Sequence, residues 1–187
     1  MPQIVLYDAC VIYPAPLRDL LMWVAKNGLV YARWSDQILE EWIRSLLENR
    51  KDLSRERLER TRTHMNIAIP DALVMGFEHF ISSLDLPDVD DRHVLAVAIA
   101  SEAEIILTLN LTDFPKDRLP KGILAMAPDP FLCHLFEIHA EALLATMKEH
   151  RANLFNPPKS PEEYLGTLRA VGLAELASHV EMLMDQI

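Results

Sequence analysis

One stretch, Leu86 to Phe114 (LPDVDDRHVLAVAIASEAEIILTLNLTDF), constrains the fold of this chain more than any other. It opens with three carboxylates, Asp88, Asp90 and Asp91. It continues with apolar residues at helical spacing (Val94, Leu95, Val97, Ala98, Ile99), then reads Glu104-Ile-Ile-Leu-Thr-Leu109 as a buried strand. Acids therefore sit at both ends of a helix-strand unit, because Asp113 follows the strand on the loop that also carries Asn110. Open α/β sheets place ligands outside the C-terminal ends of their strands. Capping explains one Asp before a helix, or two, since a carboxylate satisfies free N–H groups and complements the dipole. A third crowded carboxylate adds repulsion that capping does not offset, unless a positive partner such as a hard divalent cation lies between the charges.

The rest of the chain supplies a sheet for this unit. Ile4 to Tyr7 reads as a short buried strand ended by Asp8, which is either a site residue or a cap for the residues after it. Pro16 opens a helix from Leu17 to Asn27, closed by Gly28. Leu29 to Arg33 has strand character, and Ser35 or Asp36 caps a helix with apolar positions at Ile38, Leu39, Trp42, Ile43 and Leu46. Strand, helix, strand, helix is the rhythm of a parallel sheet. Ser54 to Met65 reads as a charged helix, Ala68 to Ile81 as a short strand or broken helix, and Ile123 to Ala127 as the last strand. The composition changes after about Phe136, beyond which the pattern is helical, with a capping box at Ser160-Pro-Glu-Glu163. These last helices have no evident site; they would pack on the sheet or mediate self-association, as in a homodimer.

Composition narrows the chemistry. With 187 residues, half of them apolar, the chain can bury a substantial core. Its two cysteines, Cys10 and Cys133, are too few for a disulfide scaffold and read as small buried hydrophobes in a reducing compartment. The N-terminus enters a strand directly, so the expectation is a cytoplasmic protein with no membrane segment. A net charge of −10 argues against a surface coated in basic residues for generic nucleic-acid binding. Basic residues do gather between Arg44 and Arg62, where they form either a phosphate-contacting surface or a solvated helix face laced with ion pairs. The five glycines are scattered, which removes a P-loop and a dinucleotide fingerprint, and the histidines lack a zinc pattern.

What survives is an all-carboxylate site: Asp8, one of Glu40 and Glu41, Asp91 with Asp88 and Asp90 beside it, and Asp113. Oxygen-only ligands suit Mg²⁺ or Mn²⁺, which act chiefly where a phosphate is handled. Helical spacing puts both glutamates off the apolar stripe, with Glu40 nearer the core, and does not choose between them.

The stretches VLYDACVIYP, ILEEWIRSLL, DVDDRHVLAVAIA and IILTLNLTDFP together resemble the PIN-domain nucleases, the fold of VapC-like toxin ribonucleases. The resemblance covers about the first 130 residues. It implies a three-layer α/β fold with a central, mostly parallel sheet flanked by helices. The PIN-like nuclease domain would span residues 1–136 and a helical C-terminal extension residues 137–187. Matched motif by motif, the family's acidic quartet falls on Asp8, Glu41, Asp91 and Asp113, and Asn110 stands where many members carry another Asp. In that family the quartet binds Mg²⁺ or Mn²⁺ and a metal-activated water cuts a phosphodiester. The resemblance therefore implies an RNA substrate, a metal-dependent ribonuclease activity and, for a bacterial toxin, an antitoxin protein as partner. Thr108 would support the site from behind, and His93 reads as packing at the helix start. One competitor is a non-catalytic RNA- or protein-binding module on the same fold. Another is a haloacid-dehalogenase-type phosphatase with Asp8 as nucleophile, which lacks the required second Asp because Cys10 stands there.

Overall fold

A computed structural model describes residues 1–187. Four strands, β1 (Gln3–Tyr7), β2 (Val30–Arg33), β3 (Ile105–Leu107) and β4 (Leu124–Met126), form one sheet in the order β2-β1-β3-β4. Every pairing is parallel. Parallel neighbours need crossovers, and here these are α1 (Ala9–Ile12) and α2 (Ala15–Lys26) between β1 and β2. The longer crossover from β2 to β3 contains α3 (Asp36–Asn49), α4 (Arg55–Ala68), α5 (Glu78–Ile81) and α6 (Arg92–Ala100). From β1 the chain steps one way to β2 and then back across β1 to β3. Right-handed crossovers therefore put α2 and the α3–α6 set on opposite faces, giving three layers. The strand order reverses between β1 and β3, and at that point the C-terminal ends of both strands open a crevice.

Local chemistry accounts for the boundaries. Ser35 starts α3 by accepting a hydrogen bond from the Ile38 N–H at 3.2 Å, so the cap is Ser35 and not Asp36. Gly28, at φ 73°, turns the chain out of α2. The segment expected as a strand or broken helix after Ala68 makes one parallel bridge, Leu73 to Trp34, before α5. Beneath the sheet and α3, Trp34 and Trp42 are fully buried, and the Trp34 indole N–H donates to Asn66 Oδ1 at 2.8 Å, so its one polar atom is satisfied.

The C-terminal residues form α7 (Pro128–Ala152), α8 (Pro161–Ala170) and α9 (Ala174–Glu181). The residue His139, at φ −140° and ψ 42°, breaks the helical path inside α7, three residues beyond the expected boundary at 136/137. Ser160 and Glu163 form the full capping box that starts α8. Asp129 at the start of α7 accepts from the Glu175 and Leu176 N–H groups, both at 2.9 Å, and so caps α9. Asn27 ties α2 to α7 through Thr146 and Glu149, both at 3.0 Å. One apolar core runs from Val5 through Leu143 and Leu176 to Ile187, so these helices share the core of the sheet. No helix is long and apolar enough to cross a membrane.

Candidate active site

Asp8 ends β1 at the crevice and is only 4% exposed. Its Oδ1 caps α1 by accepting from the Ala9 N–H at 2.6 Å, and its Oδ2 accepts from the Thr108 hydroxyl at 2.7 Å and the Cys10 thiol at 3.1 Å. The helix cap and the carboxylate at the cleft are thus one group, held by donors from two neighbouring strand ends. The β1–β3 register, Tyr7 beside Leu107, places Thr108 next to Asp8. Thr108 Oγ1 in turn accepts from the Asn110 N–H at 3.0 Å, which shapes the loop after β3.

Cys10 differs from the buried hydrophobe expected of it. Its sulfur accepts from the Leu109 N–H at 3.1 Å while the thiol donates to Asp8, so it fastens the α1 turn to the β3 loop. Burial, reinforced by the Asp8 charge, pushes this thiol up to about 12, which keeps it protonated and removes it as a nucleophile.

Asp91 occupies the N-cap position of α6, yet its side chain makes no capping hydrogen bond. The capping explanation fails for it. Burial, and then the charges of Asp8, Asp113, Asp88 and Glu41, push its carboxyl up to about 7. Asp88 accepts from the Asp90 N–H at 2.8 Å and so shapes the turn, while Asp90 is exposed and lies outside the cleft lining.

The two glutamates of α3 part company. Glu41 lines the cleft, and its Oε1 lies 2.9 Å from His93 Nε2 on α6. That approach lies off the donor axis, so both nitrogens of the buried His93 ring are left without a completed hydrogen bond. Glu40 turns away to α4, where Arg55 pairs with it at 2.6 Å and holds its carboxyl below the usual range. Burial corrects the helical-wheel expectation, because the Glu41 side chain is 25% exposed and that of Glu40 45%. Arg62 adds contacts to Asp36 and Glu59, so much of the basic stretch is an ion-paired face between α3 and α4.

These groups surround a cleft of about 570 Å³ lined by Asp8, Cys10, Tyr13, Glu41, Arg44, Asp88, Asp91 and Asn110, with Ala9, Pro14, Ser45 and Leu109. Asp113, on a single turn at Leu111–Asp113, stands just outside the lining, although its charge reaches Asp91. No three His, Cys, Asp or Glu side chains stand close enough together to hold a metal ion as placed. The donor chemistry nevertheless fits a hard cation: the carboxylates are oxygen-only, and their mutual repulsion at Asp91 is what a divalent ion relieves. Mg²⁺ keeps several waters, so few direct protein ligands are needed.

The pattern of the PIN domain matches residues 4–112, more than half of the chain. The chain belongs to the PIN-domain family. A second pattern, the VapC50 C-terminal domain, matches residues 128–181, which are α7 to α9. This PIN domain is similar to the protein named "Putative ribonuclease VapC50" of Mycobacterium tuberculosis. The two are 36% identical over 98 residues, 52% of this chain and 57% of that protein's length. The match thus spans little more than half of that relative. No solved structure matches this chain.

The sequence did not place Arg44, read only as part of the basic stretch, Cys10, read as a buried hydrophobe, or Tyr13 and Ser45 at the cleft of this PIN domain. Arg44 and Ser45 carried a usable signal, because positions three and four after Glu41 share its helical face. Tyr13 and Cys10 carried none, since their place depends on how the turn after β1 meets the β3 loop. Thr108→Val tests the Asp8 anchorage. Valine fits the buried position but takes a donor from Asp8 and an acceptor from the Asn110 N–H, at a cost of about 1–3 kcal/mol. Urea unfolding measures this, and an unchanged midpoint would make Thr108 a packing residue only.

Proposed function

We propose that this PIN domain is a metal-dependent endoribonuclease that hydrolyses RNA phosphodiester bonds with Mg²⁺ or Mn²⁺ held by Asp8, Glu41, Asp91 and Asp113. We further read it as the toxin of a bacterial toxin–antitoxin pair, with a small antitoxin protein as partner. The observation that carries the reading is the gathering of carboxylates from four separate segments around the β1–β3 crevice, where burial and then their charges push Asp91 up to about 7. Family membership and the ribonuclease named above support it. When bound, a divalent cation supplies Lewis acidity toward a phosphoryl oxygen and offsets the negative charge that a phosphodiester meets in this cleft. The protein's own part is positional. Thr108, Cys10 and the Ala9 N–H hold the Asp8 carboxylate in one orientation. Asp91 binds a proton at low pH in place of a cation, and Glu41 presents its carboxylate from α3.

The sign of the pH dependence comes from Asp91. In the unfolded chain its carboxyl ionises near 3.8, in the native cleft near 7, so the native state binds more protons between these values. Stability contributed by protonated Asp91 is present at low pH and falls as pH rises from about 4 to 7. A cation competes with that proton. Millimolar Mn²⁺ is therefore expected to raise the melting temperature clearly at pH 8 and much less at pH 5.5. In parallel, labelled RNA is cut only with the metal and labelled DNA is not. A melting temperature indifferent to Mn²⁺ at both pH values, with no cleavage, would falsify the enzyme reading. That outcome would favour a non-catalytic RNA- or protein-binding module, the reading supported by the spread of the acids.

A further inference from the structure

We propose that the wall of the cleft formed by Tyr13, Pro14, Arg44 and Ser45 is a subsite for single-stranded RNA. In it Arg44 binds a backbone phosphate beside the one that is cut, and Tyr13 stacks an unpaired base. The inference rests on the ribonuclease reading and adds to it which residues grip the strand. Four carboxylates line the cleft, and Arg44 is the only cation among the lining residues. A polyanion entering such a cleft is repelled wherever a cation does not compensate. Arg44 is also free to act. Arg50, just past the end of α3, and Arg55 and Arg62 on α4 are committed to carboxylates, whereas Arg44 is exposed and has no acidic partner within 4 Å. It sits one turn beyond Glu41 with Ser45 beside it, so the face of α3 that presents Glu41 continues as a guanidinium and a hydroxyl. The guanidinium fork matches two phosphate oxygens, which a point charge does not.

The aromatic half of the subsite lies on the turn between α1 and α2. Tyr13 and Pro14 are half-buried there and line the same cleft. From the loop after β3, Leu109, 52% exposed, and Asn110, which offers an amide, line the cleft as well. A half-buried ring beside a phosphate-binding arginine is the combination by which single strands are held without sequence readout. Duplex bases are already stacked on their neighbours and cannot use the ring, so the subsite selects unpaired RNA.

The test uses the full chain carrying Asp91→Asn, so that binding is read without cleavage, and a fluorescent single-stranded RNA titrated at several salt concentrations. Adding Arg44→Gln is expected to weaken binding roughly tenfold and make the slope of log K against log salt shallower by about 0.7, one phosphate contact on a single strand. Tyr13→Leu is expected to weaken binding between about 5- and 100-fold with the slope unchanged, and Tyr13→Phe to restore it. A duplex of the same sequence should compete at least about tenfold less well. Affinities and slopes equal to those of the Asp91→Asn parent in both variants would overturn the subsite. If the unsubstituted chain still cut RNA, the ribonuclease reading would stand. A chain that neither cuts nor binds RNA would overturn both.

Discussion

Asp91→Asn is expected to lower metal-dependent RNA cleavage by a factor on the order of 10³, while the metal-free protein melts higher than the wild type at pH 8. The two effects have one origin. Burial and the charges of Asp8, Asp113, Asp88 and Glu41 oppose ionisation of Asp91, so at pH 8, above its native value of about 7, the folded protein carries the whole of that penalty. Asparagine keeps the shape and removes the charge. A shift from 3.8 to about 7 in a fully buried group would be worth about 4 kcal/mol. Asp91 is half-buried at an open cleft, and solvent screening reduces the expected gain to about 1–2 kcal/mol, roughly 2–8 °C in melting temperature. At pH 4 most of the gain should be gone, because the native carboxyl then holds its proton and the unfolded one, ionising near 3.8, is close to half protonated. On the activity side, removing one carboxylate that neutralises a cation at a phosphate costs several kcal/mol of transition-state stabilisation, which is the factor above. Thermal melts at pH 4 and 8, beside cleavage of labelled RNA, check both. Retained activity with no thermal gain would move the essential charge from Asp91 to its neighbour Asp88.

Glu41→Gln is expected to lose about 10²-fold or more in metal-dependent cleavage and most of the Mn²⁺-induced thermal shift, whereas Glu40→Gln changes activity by less than about twofold. Glu41 lines the cleft and helps to raise Asp91, while Glu40 is spent on Arg55 across the α3–α4 seam. The cost of Glu40→Gln is therefore one of stability, and for an exposed pair it stays below about 1 kcal/mol. Gln is nearly as good a helix former as Glu, so neither variant disturbs α3 itself. Kinetics on both variants with urea unfolding of each make the comparison. A loss confined to Glu40→Gln would shift the acidic motif by one residue, and equal losses would give both carboxylates a part in the reaction.

The elements of this protein are written in its sequence because each is enforced by its neighbours in the chain. Continuous apolar runs make β1 and β3 and an alternating one makes β2, Ser35 and the Ser160–Glu163 box start helices through bonds three residues long, and Gly28 ends α2 with a conformation that other residues adopt at a cost. Asp8 and the loop after Leu107 were legible as positions at the cleft for a related reason, since parallel strands expose their C-terminal ends at a reversal of strand order. Tertiary structure decided everything that depends on which element stands opposite. A helical wheel gives the angle between Glu40 and Glu41 but not where α4 will dock, and it is Arg55 on α4 that draws Glu40 away from the cleft. Cys10 becomes a hydrogen-bonding link only because the turn after β1 meets the loop after β3. The acids likewise turned from a count into a charge problem only when the β1–β3 crevice brought Asp8, Glu41, Asp88 and Asp91 to one cleft, with Asp113 at its edge. Coulomb repulsion depends on distance through space, which sequence separation does not report.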